Sequence, residues 1–600
     1  MSPAVAPRLG AFPAECGTLF ALWSTRAAEA AVRLYDEHAE PLRTHALERL
    51  ENGLFQAIVP GAGVGALYKF VLDGDELGDP CARFLPQGVF GPARVMAPGK
   101  ARGPAFQLER VPDAIYELHV GTFTPEGTYR AAQRRLPELA ALGVSALELL
   151  PLGAFPGQRG WGYDGVAHYA PFAAYGEPDE LRDFIAAAHE RGLGVLLDVV
   201  YNHFGPAGNG LPRYAEEYFR TDVQTPWGPA LDFGNPVLRR YVLDNARYWF
   251  EEFGFDGLRL DATHAIHDDS PRHILEELSD VAAQQQPRRI LIAEDERNEA
   301  ALVTRFGTHA VWADDFHHAV RVTLTGEQDG YYAAYPPGAA TIAETLRRGW
   351  YYDGRAYPPR GELRGTRANE LEFQSFVYCI QNHDQVGNRA LGTRLNHEVG
   401  LDAYCAASML LAFLPMTALL FMGQEWAASS PFLFFTDHDA ELGERVSRGR
   451  REEFKHFQAF SSAEMRESIP DPQAVQTFER SRLNWQERTQ PSHRRVLELY
   501  ERLFRSRRED AVLSAPCARH ELEVSSAGEA LVVGRARAGE GRLLIVNFGE
   551  RVLELPEEAS ALAVLAQSAV VDVRQLGKHA AVWFAGSEKT LATLRAKLAL

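Results

Sequence analysis

Between about residue 110 and residue 430, short apolar runs alternate with amphipathic stretches, the pattern of a parallel sheet covered by helices. Eight runs follow in order: AIYELHV from Ala114, SALELLPL from Ser145, VLLDVV from Val195, GLRLD from Gly257, ILIAE from Ile290, HAVWADDF from His309, FVYCIQN from Phe376 and ALLFMGQE from Ala418. Eight strands joined by helices favour closure, so the predicted centre of the chain is an α/β fold, a (β/α)8 TIM barrel. Between the runs lie helical patterns such as DELRDFIAAAHERG from Asp179 and NPVLRRYVLDNARYWFEEFG from Asn235, the latter with an Asn cap and Pro at the first helical position. The connections Asn202 to Gly234 and Phe316 to Gln374 are too long for simple links. They are expected to build the face at the strand C-termini, where barrels of this type carry their functional groups.

On either side the pattern changes. Residues 1–108 hold β-like runs (TLFALW, AVRLY, FQAIV, LYKFVL) between Gly, Pro and charged turns, which predicts an N-terminal β-sandwich. The barrel with its long loops is assigned to 109–510. Residues 511–600 return to β-like runs (ALVVGRA, RLLIVNF, AVVDV, AAVWFA), which predicts a small C-terminal β-domain, read as a sandwich.

A formal charge of −18 without Lys/Arg runs argues against nucleic acid or an anionic membrane as partner. Cys16, Cys81, Cys379, Cys405 and Cys517 are odd in number and far apart, so they read as reduced thiols rather than a disulfide framework or zinc site. The start MSPAVAPRLGAF lacks the pattern of a secretory signal, which makes the cytoplasm the expected location. The apolar stretch Ala403 to Gly423 is broken by Pro415 and reads as a helix followed by a buried strand, not a membrane span.

Polar residues finish several of the apolar runs. In the fourth, Arg259 and Asp261 share a parity and project to one side, opposite Leu258 and Leu260. The fifth carries Ile290, Ile292 and Glu294 on one face; the third leads into Asp198 and Asn202-His203, the seventh into Gln381-Asn382-His383-Asp384. Taken singly, Asp198 and Arg259 make a structural ion pair, Glu294 a helix cap and the histidines solvated loop residues. Together they need another account, because carboxylates ending successive buried strands are costly unless matched. A retaining glycosidase needs two carboxyl groups about 5–5.5 Å apart. Asp261 and Glu294 on adjacent strands meet that demand, with Arg259 holding Asp261 ionised while a less compensated Glu294 keeps its proton. Trp161-Gly162-Tyr163-Asp164 after the second strand and Thr225-Pro226-Trp227-Gly228 after the third offer aromatic faces for sugar rings.

DVVYNH (Asp198 to His203), GFDGLRLDATH (Gly254 to His264), LIAE (Leu291 to Glu294) and QNHDQ (Gln381 to Gln385) resemble the four ordered signature regions of the α-amylase family of glycoside hydrolases. The resemblance implies Asp261 as nucleophile, Glu294 as acid/base and Asp384 as the carboxylate that fixes sugar hydroxyls. It implies His203, Arg259 and His383 in the −1 subsite, Tyr163 as its stacking ring and Asp198 as a supporting aspartate; Asp164 and Trp227, from the two aromatic loops, are expected as further substrate contacts. No cofactor and no metal are expected, although Asn202 matches a calcium-binding position of some amylases. DPCARFLPQGVFGP (Asp79 to Pro92), WADDFHHAVRVTLTGEQDGYY (Trp312 to Tyr332) and SSPFLFFTDHDAELG (Ser429 to Gly443) are similar to members that release trehalose from maltooligosyl trehalose. They carry an N-terminal sandwich of glucan-binding type and work beside the synthase that makes their substrate. Trp227, Phe316 and the Phe434 to His438 stretch are then candidate walls for the trehalose unit. A branching or debranching enzyme of the same family is the alternative. A non-catalytic sugar-binding barrel would be expected to lack the nucleophile or the acid.

Overall fold

The computed structural model describes residues 8–456, 458–460, 462–569 and 574–598. The eight barrel strands are β1 (Ala114–Leu118), β2 (Ala146–Leu149), β3 (Gly194–Val199), β4 (Gly257–Leu260), β5 (Ile290–Ala293), β6 (Ala310–Trp312), β7 (Phe376–Tyr378) and β8 (Thr417–Phe421). They form one closed parallel barrel in chain order, with β8 returning to β1 through Ala114↔Ala418. Each coincides with its predicted run, β3 and β8 starting one residue earlier.

Every residue of these strands is buried, the outward ones against helices and the inward ones in the lumen. Ile115, Leu196, Ile290, Ile292, Trp312, Val377 and Leu419 form an apolar plug. One layer higher, at the same parity as Ile115 and Leu196, stand Glu117 and Asp198, with Arg259 in register with Asp198. The plug closes the bottom of the barrel, so the charged layer has solvent access only from the C-terminal face. At Gly257 a Cβ would lie 2.4 Å from the Ile290 carbonyl oxygen; glycine is what lets β4 and β5 approach there.

The helices follow the sequence signals. In Pro236–Tyr248 the Asn235 side chain accepts the Val237 N–H at 2.8 Å, ahead of Pro at the first helical position. The Ala403 to Gly423 stretch is the buried helix Leu401–Phe413 followed by β8, as expected. No helix among the described residues is long and apolar enough to cross a membrane. The two long connections are structured: the first carries the hairpin Phe219–Thr225/Gly228–Leu231, and the second the helices Asp315–Thr325 and Ala339–Arg348 with the hairpin Arg355–Tyr357/Glu362–Arg364.

The N-terminal region is a sandwich. One sheet contains Gly10–Ala14, Gly17–Trp23, Leu54–Pro60 and Glu48–Arg49; the other contains Pro41–Ala46, Ala30–Tyr35, Leu67–Leu72 and Asp75–Leu77, with Ala93–Arg94 also on Leu67–Leu72. At the C-terminus the strands Leu522–Ala527, Ala530–Arg537, Glu540–Asn547, Ala581–Ser587 and Ala563–Gln567 form an antiparallel sheet. Trp583 on one face packs against Phe413 of the barrel at 5.3 Å, while Leu591 and Leu594 of the helix Glu588–Leu598 cover the other. The second layer is therefore this helix with a two-stranded ribbon, not a full second sheet. The first seven residues and most of the AVVDV run (570–573) lie outside the described residues.

Candidate active site

The C-terminal ends of β3, β4, β5 and β7 bring the predicted residues together around one guanidinium. Arg259, wholly buried, places Nη1 2.9 Å from both Asp198 carboxylate oxygens and 2.7 Å from Asp261 Oδ1; its Nη2 is 3.2 Å from Glu294 Oε2. Its guanidinium also stacks on Trp312 at 4.2 Å. Asp261 and Glu294 thus flank the same planar cation. Asn202 donates to Asp261 Oδ2 at 2.7 Å and to its carbonyl at 2.8 Å, a further fixed donor on that carboxylate.

Past Asp261 the backbone turns sharply. Ala262 adopts φ +41°, a left-handed conformation that costs a non-glycine residue energy, and its N–H donates to Glu294 Oε2 at 2.7 Å. Strain in the β4 turn is thus coupled to the orientation of the β5 carboxyl. Burial pushes the Glu294 carboxyl well above the usual carboxylate range, reinforced by the charges of Asp261 and Asp384 and opposed by Arg259. From the sequence, Glu294 is expected to be the less compensated of the two carboxyls. The structure gives it the same arginine, at 3.2 Å against 2.7 Å for Asp261, and the Asn202 donor goes to Asp261 alone of the two.

β7 and the segment after β2 supply the facing wall. His383 is buried, with Nδ1 2.5 Å from Glu117 Oε1, its backbone N–H donating to Glu117 Oε2 at 2.9 Å, and Nε2 3.4 Å from Asp384 Oδ1. Burial alone would lower the His383 pKa, but the charges of Asp384 and Glu117 outweigh it and raise it to about 9. Tyr163 stacks on His383 (5.2 Å, 19°), donates to Asp198 Oδ2 at 2.6 Å and lies 2.8 Å from His383 Nε2. Burial, opposed by Arg259, puts the Asp198 carboxyl at about 6. His203 hydrogen-bonds Asn202 and the Tyr163 carbonyl. Asp384 is about a third exposed and Glu294 about a fifth, so both reach the open mouth.

Two expectations are corrected. Trp161 is no sugar platform: it stacks on Phe432 at 5.1 Å, donates to the Leu433 carbonyl and is buried. Trp227 is 45% exposed and stacks on His203 at 4.7 Å. Phe316 is buried, stacked on Tyr378 at 4.5 Å. The Phe434 to His438 stretch reaches Asp164 through His438 Nε2 at 3.6 Å. The sequence reading passed over Glu117, Glu148 and Trp312. The parity of Glu117 with Ile115 was the available signal, a carboxylate inside an apolar run and on its lumen side. Among the described residues no cluster could hold a metal ion, and Asn202 is engaged with Asp261 and His203.

A lone buried carboxyl pair on one arginine is a general device, and the comparisons decide which. A family model, "Alpha amylase, catalytic domain", matches residues 119–211 and 212–513. The chain belongs to the α-amylase family. A second model, "Carbohydrate-binding module 48 (Isoamylase N-terminal domain)", matches residues 8–87, over the sandwich. Relatives named malto-oligosyltrehalose trehalohydrolase include one from Deinococcus radiodurans, 50% identical over 90% of each chain. Another, from Saccharolobus solfataricus, is 36% identical over 90% of this chain and 92% of its own. Among solved structures, one from Salmonella typhimurium matches with a TM-score of 0.88 at 36% identity, covering 97% of this chain and 100% of that one. A pullulanase from group B Streptococcus shares the fold, with a TM-score of 0.75 at 17% identity over 97% of this chain and 88% of its own.

Proposed function

We propose that this chain hydrolyses the α-1,4-glucosidic bond next to the terminal trehalose of maltooligosyl trehalose and releases trehalose with retention at the anomeric carbon. The observation that carries the chemistry is that Asp261 and Glu294 meet one guanidinium while burial raises the Glu294 carboxyl well above the usual carboxylate range. The substrate rests on relatives of the trehalohydrolase name that match along nine-tenths of the chain.

In this reading Asp261 attacks the anomeric carbon while Glu294 gives its proton to the departing glycosidic oxygen, and trehalose leaves with a free hydroxyl. Glu294, now ionised, takes a proton from a water whose oxygen displaces Asp261, so both carboxyls return to their starting state. Asp384 and His383 hold sugar hydroxyls, Tyr163 and Trp227 offer ring faces, and Asp164 and His203 line the entrance. Arg259, itself held by Asp198, aims Asp261. The group needs no metal or cofactor for this. Its substrate has to come from an enzyme that builds the terminal α,α-1,1 linkage, a maltooligosyltrehalose synthase. Reduced cysteines, all five of them free, fit a reducing compartment, which we take to be the cytoplasm.

The test compares kcat/KM for trehalose release from maltooligosyl trehalose with that for glucose or maltose release from a maltooligosaccharide of equal length. A preference of orders of magnitude is expected, because a site built to hydrogen-bond one disaccharide rejects another that leaves its groups unpaired. Values within about threefold of each other would defeat the assignment. New α-1,6 branches on amylose would mark a branching enzyme instead.

A further inference from the structure

Arg259 makes its hydrogen bonds through one nitrogen. Nη1 donates to both Asp198 carboxylate oxygens and to Asp261, whereas Nε and Nη2 have no hydrogen-bond partner among the described residues and are shielded from solvent. Nη2 stands 3.2 Å from Glu294 Oε2, close enough for charge attraction, without aiming an N–H at it. A guanidinium pinned at one nitrogen can turn about that point, so the position of Nη2 has to be fixed by something other than hydrogen bonds.

Trp312 lies against that guanidinium. Arg259 is in register with Ile292 of β5, and Ile292 with Ala310 of β6. Two residues further along β6, Trp312 shares the lumen-facing parity of Ala310 and carries its ring across β5, to a centroid 4.2 Å from Arg259 Cζ. The same indole meets the ring of His383, the other cation of the site, with centroids 6.1 Å apart at 58°. Trp312 is buried, and its Nε1 has no hydrogen-bond partner among the described residues. A buried indole N–H ordinarily finds one, and leaving it unmade carries a cost that phenylalanine or leucine would avoid. What tryptophan offers in return is its face, the strongest of the aromatic rings for a cation.

The held position of Arg259 bears on Glu294. That carboxyl is faced by Arg259 and Asp261 from β4, by Asp384 from the segment after β7 and by the Ala262 N–H; of these, Arg259 and the N–H favour its ionised form. A guanidinium turned so that Nη2 donates to Oε2 would add a charge-assisted hydrogen bond to the carboxylate and favour loss of the proton. An acid that has to protonate the leaving group needs the opposite.

We propose that Trp312 is a positioning residue: its ring holds the Arg259 guanidinium at an angle that denies Glu294 a hydrogen bond from Nη2, and so preserves the proton that Glu294 gives to the leaving oxygen. The proposal rests on the reading of Glu294 as the acid. The experiment measures kcat/KM against pH for the wild type, Trp312→Leu and Trp312→Phe, on maltooligosyl trehalose and on an α-maltooligosyl fluoride, whose fluoride departs without taking a proton. With the ring gone Nη2 turns onto Glu294, so the alkaline limb of Trp312→Leu on maltooligosyl trehalose is expected about one pH unit below that of the wild type, a tenfold change in proton affinity. Activity at the acidic end should stay within about threefold of the wild type, and so should activity on the fluoride at every pH. Trp312→Phe keeps a ring of weaker face and gives up only an N–H that had no partner, so it stands in if Trp312→Leu fails to fold, and its limb should move the same way by a smaller step. A side chain that only fills the lumen would, when replaced, lower activity on both substrates at all pH values alike. That result, or a limb that stays in place or moves to higher pH in the folded variants, overturns the proposal. Near-normal trehalose release by Glu294→Gln overturns instead the acid assignment beneath it, whereas an inactive Glu294→Gln beside unmoved limbs in the Trp312 variants overturns the proposal alone.

Discussion

Arg259 contacts three carboxylates with one rigid fork, which a lysine ammonium, a flexible point charge, cannot reproduce. Arg259→Lys is expected to lower kcat/KM about a hundredfold or more, and steady-state kinetics on a variant that still unfolds cooperatively would check it. Asp261→Asn and Glu294→Gln should each cost roughly a thousandfold or more in kcat, since each group acts mainly in the transition state. Their melting temperatures should stay within a few degrees of the wild type, because Arg259 keeps Asp198 as a partner in both. Either variant with near-normal kcat would remove that residue from its role. The pH dependence follows from Glu294. Its protonated form is held above the usual carboxylate range by burial and by Asp261 and Asp384, so kcat/KM should persist through neutral pH and fall on the alkaline side as Glu294 loses its proton.

At the level of elements, the long connection after β6 owes its shape to one residue. Asp315, buried at the start of the helix Asp315–Thr325, accepts from Asn298 Nδ2 at 2.8 Å, Tyr335 Oη at 2.6 Å and the backbone N–H groups of Tyr351 and Tyr352 at 2.8 Å each. Arg364 Nη2 adds an ion pair at 3.3 Å. The helix start, the segment after Glu294 and the hairpin Arg355–Tyr357/Glu362–Arg364 are thereby fastened at one point. Asp315→Ala leaves several buried donors unpaired and is expected to destabilise the protein by about 3–5 kcal/mol. Hydrogen exchange read by mass spectrometry should show residues 330–366 losing protection before the barrel strands; uniform protection would contradict the clamp.

For the molecule as a whole, the charged layer inside the barrel ties stability to pH. His383 titrates at about 9 when folded, above the roughly 6.5 of an unfolded chain, because Asp384 and Glu117 outweigh its burial. A group whose folded value is raised stabilises fully below its unfolded value and loses that stabilisation as pH rises to the folded one. The contribution, about 3 kcal/mol, should therefore be present below pH 6.5 and fade toward pH 9. Melting temperatures across that interval should fall, and Glu117→Gln should flatten the slope. An unchanged slope in Glu117→Gln would assign the dependence to other groups.

The barrel was legible in the chain because each strand is buried on both faces and so reads as a continuous apolar run, which local sequence records. Asp261 and Glu294 were legible for the same reason, as charges ending runs that otherwise continue apolar, whereas Asp384 was marked by the resemblance of QNHDQ to a family signature. What the sequence could not hold is the level at which the lumen turns from apolar to wet. Glu117 and Glu148 sit inside strands, and only closure brings Glu117 to His383 across a sequence distance that no local pattern spans. Aromatic residues divided on the same ground. Trp161 and Trp227 look alike beside their glycines, yet one is packed on Phe432 and the other stands open on His203, a difference set by neighbours from other segments. Periodicity and strand-end chemistry were determined by the sequence alone. The convergence of three carboxylates on Arg259, and the burial that raises the Glu294 carboxyl, were decided by tertiary structure, because dielectric surroundings and charge pairing belong to groups that only folding brings together.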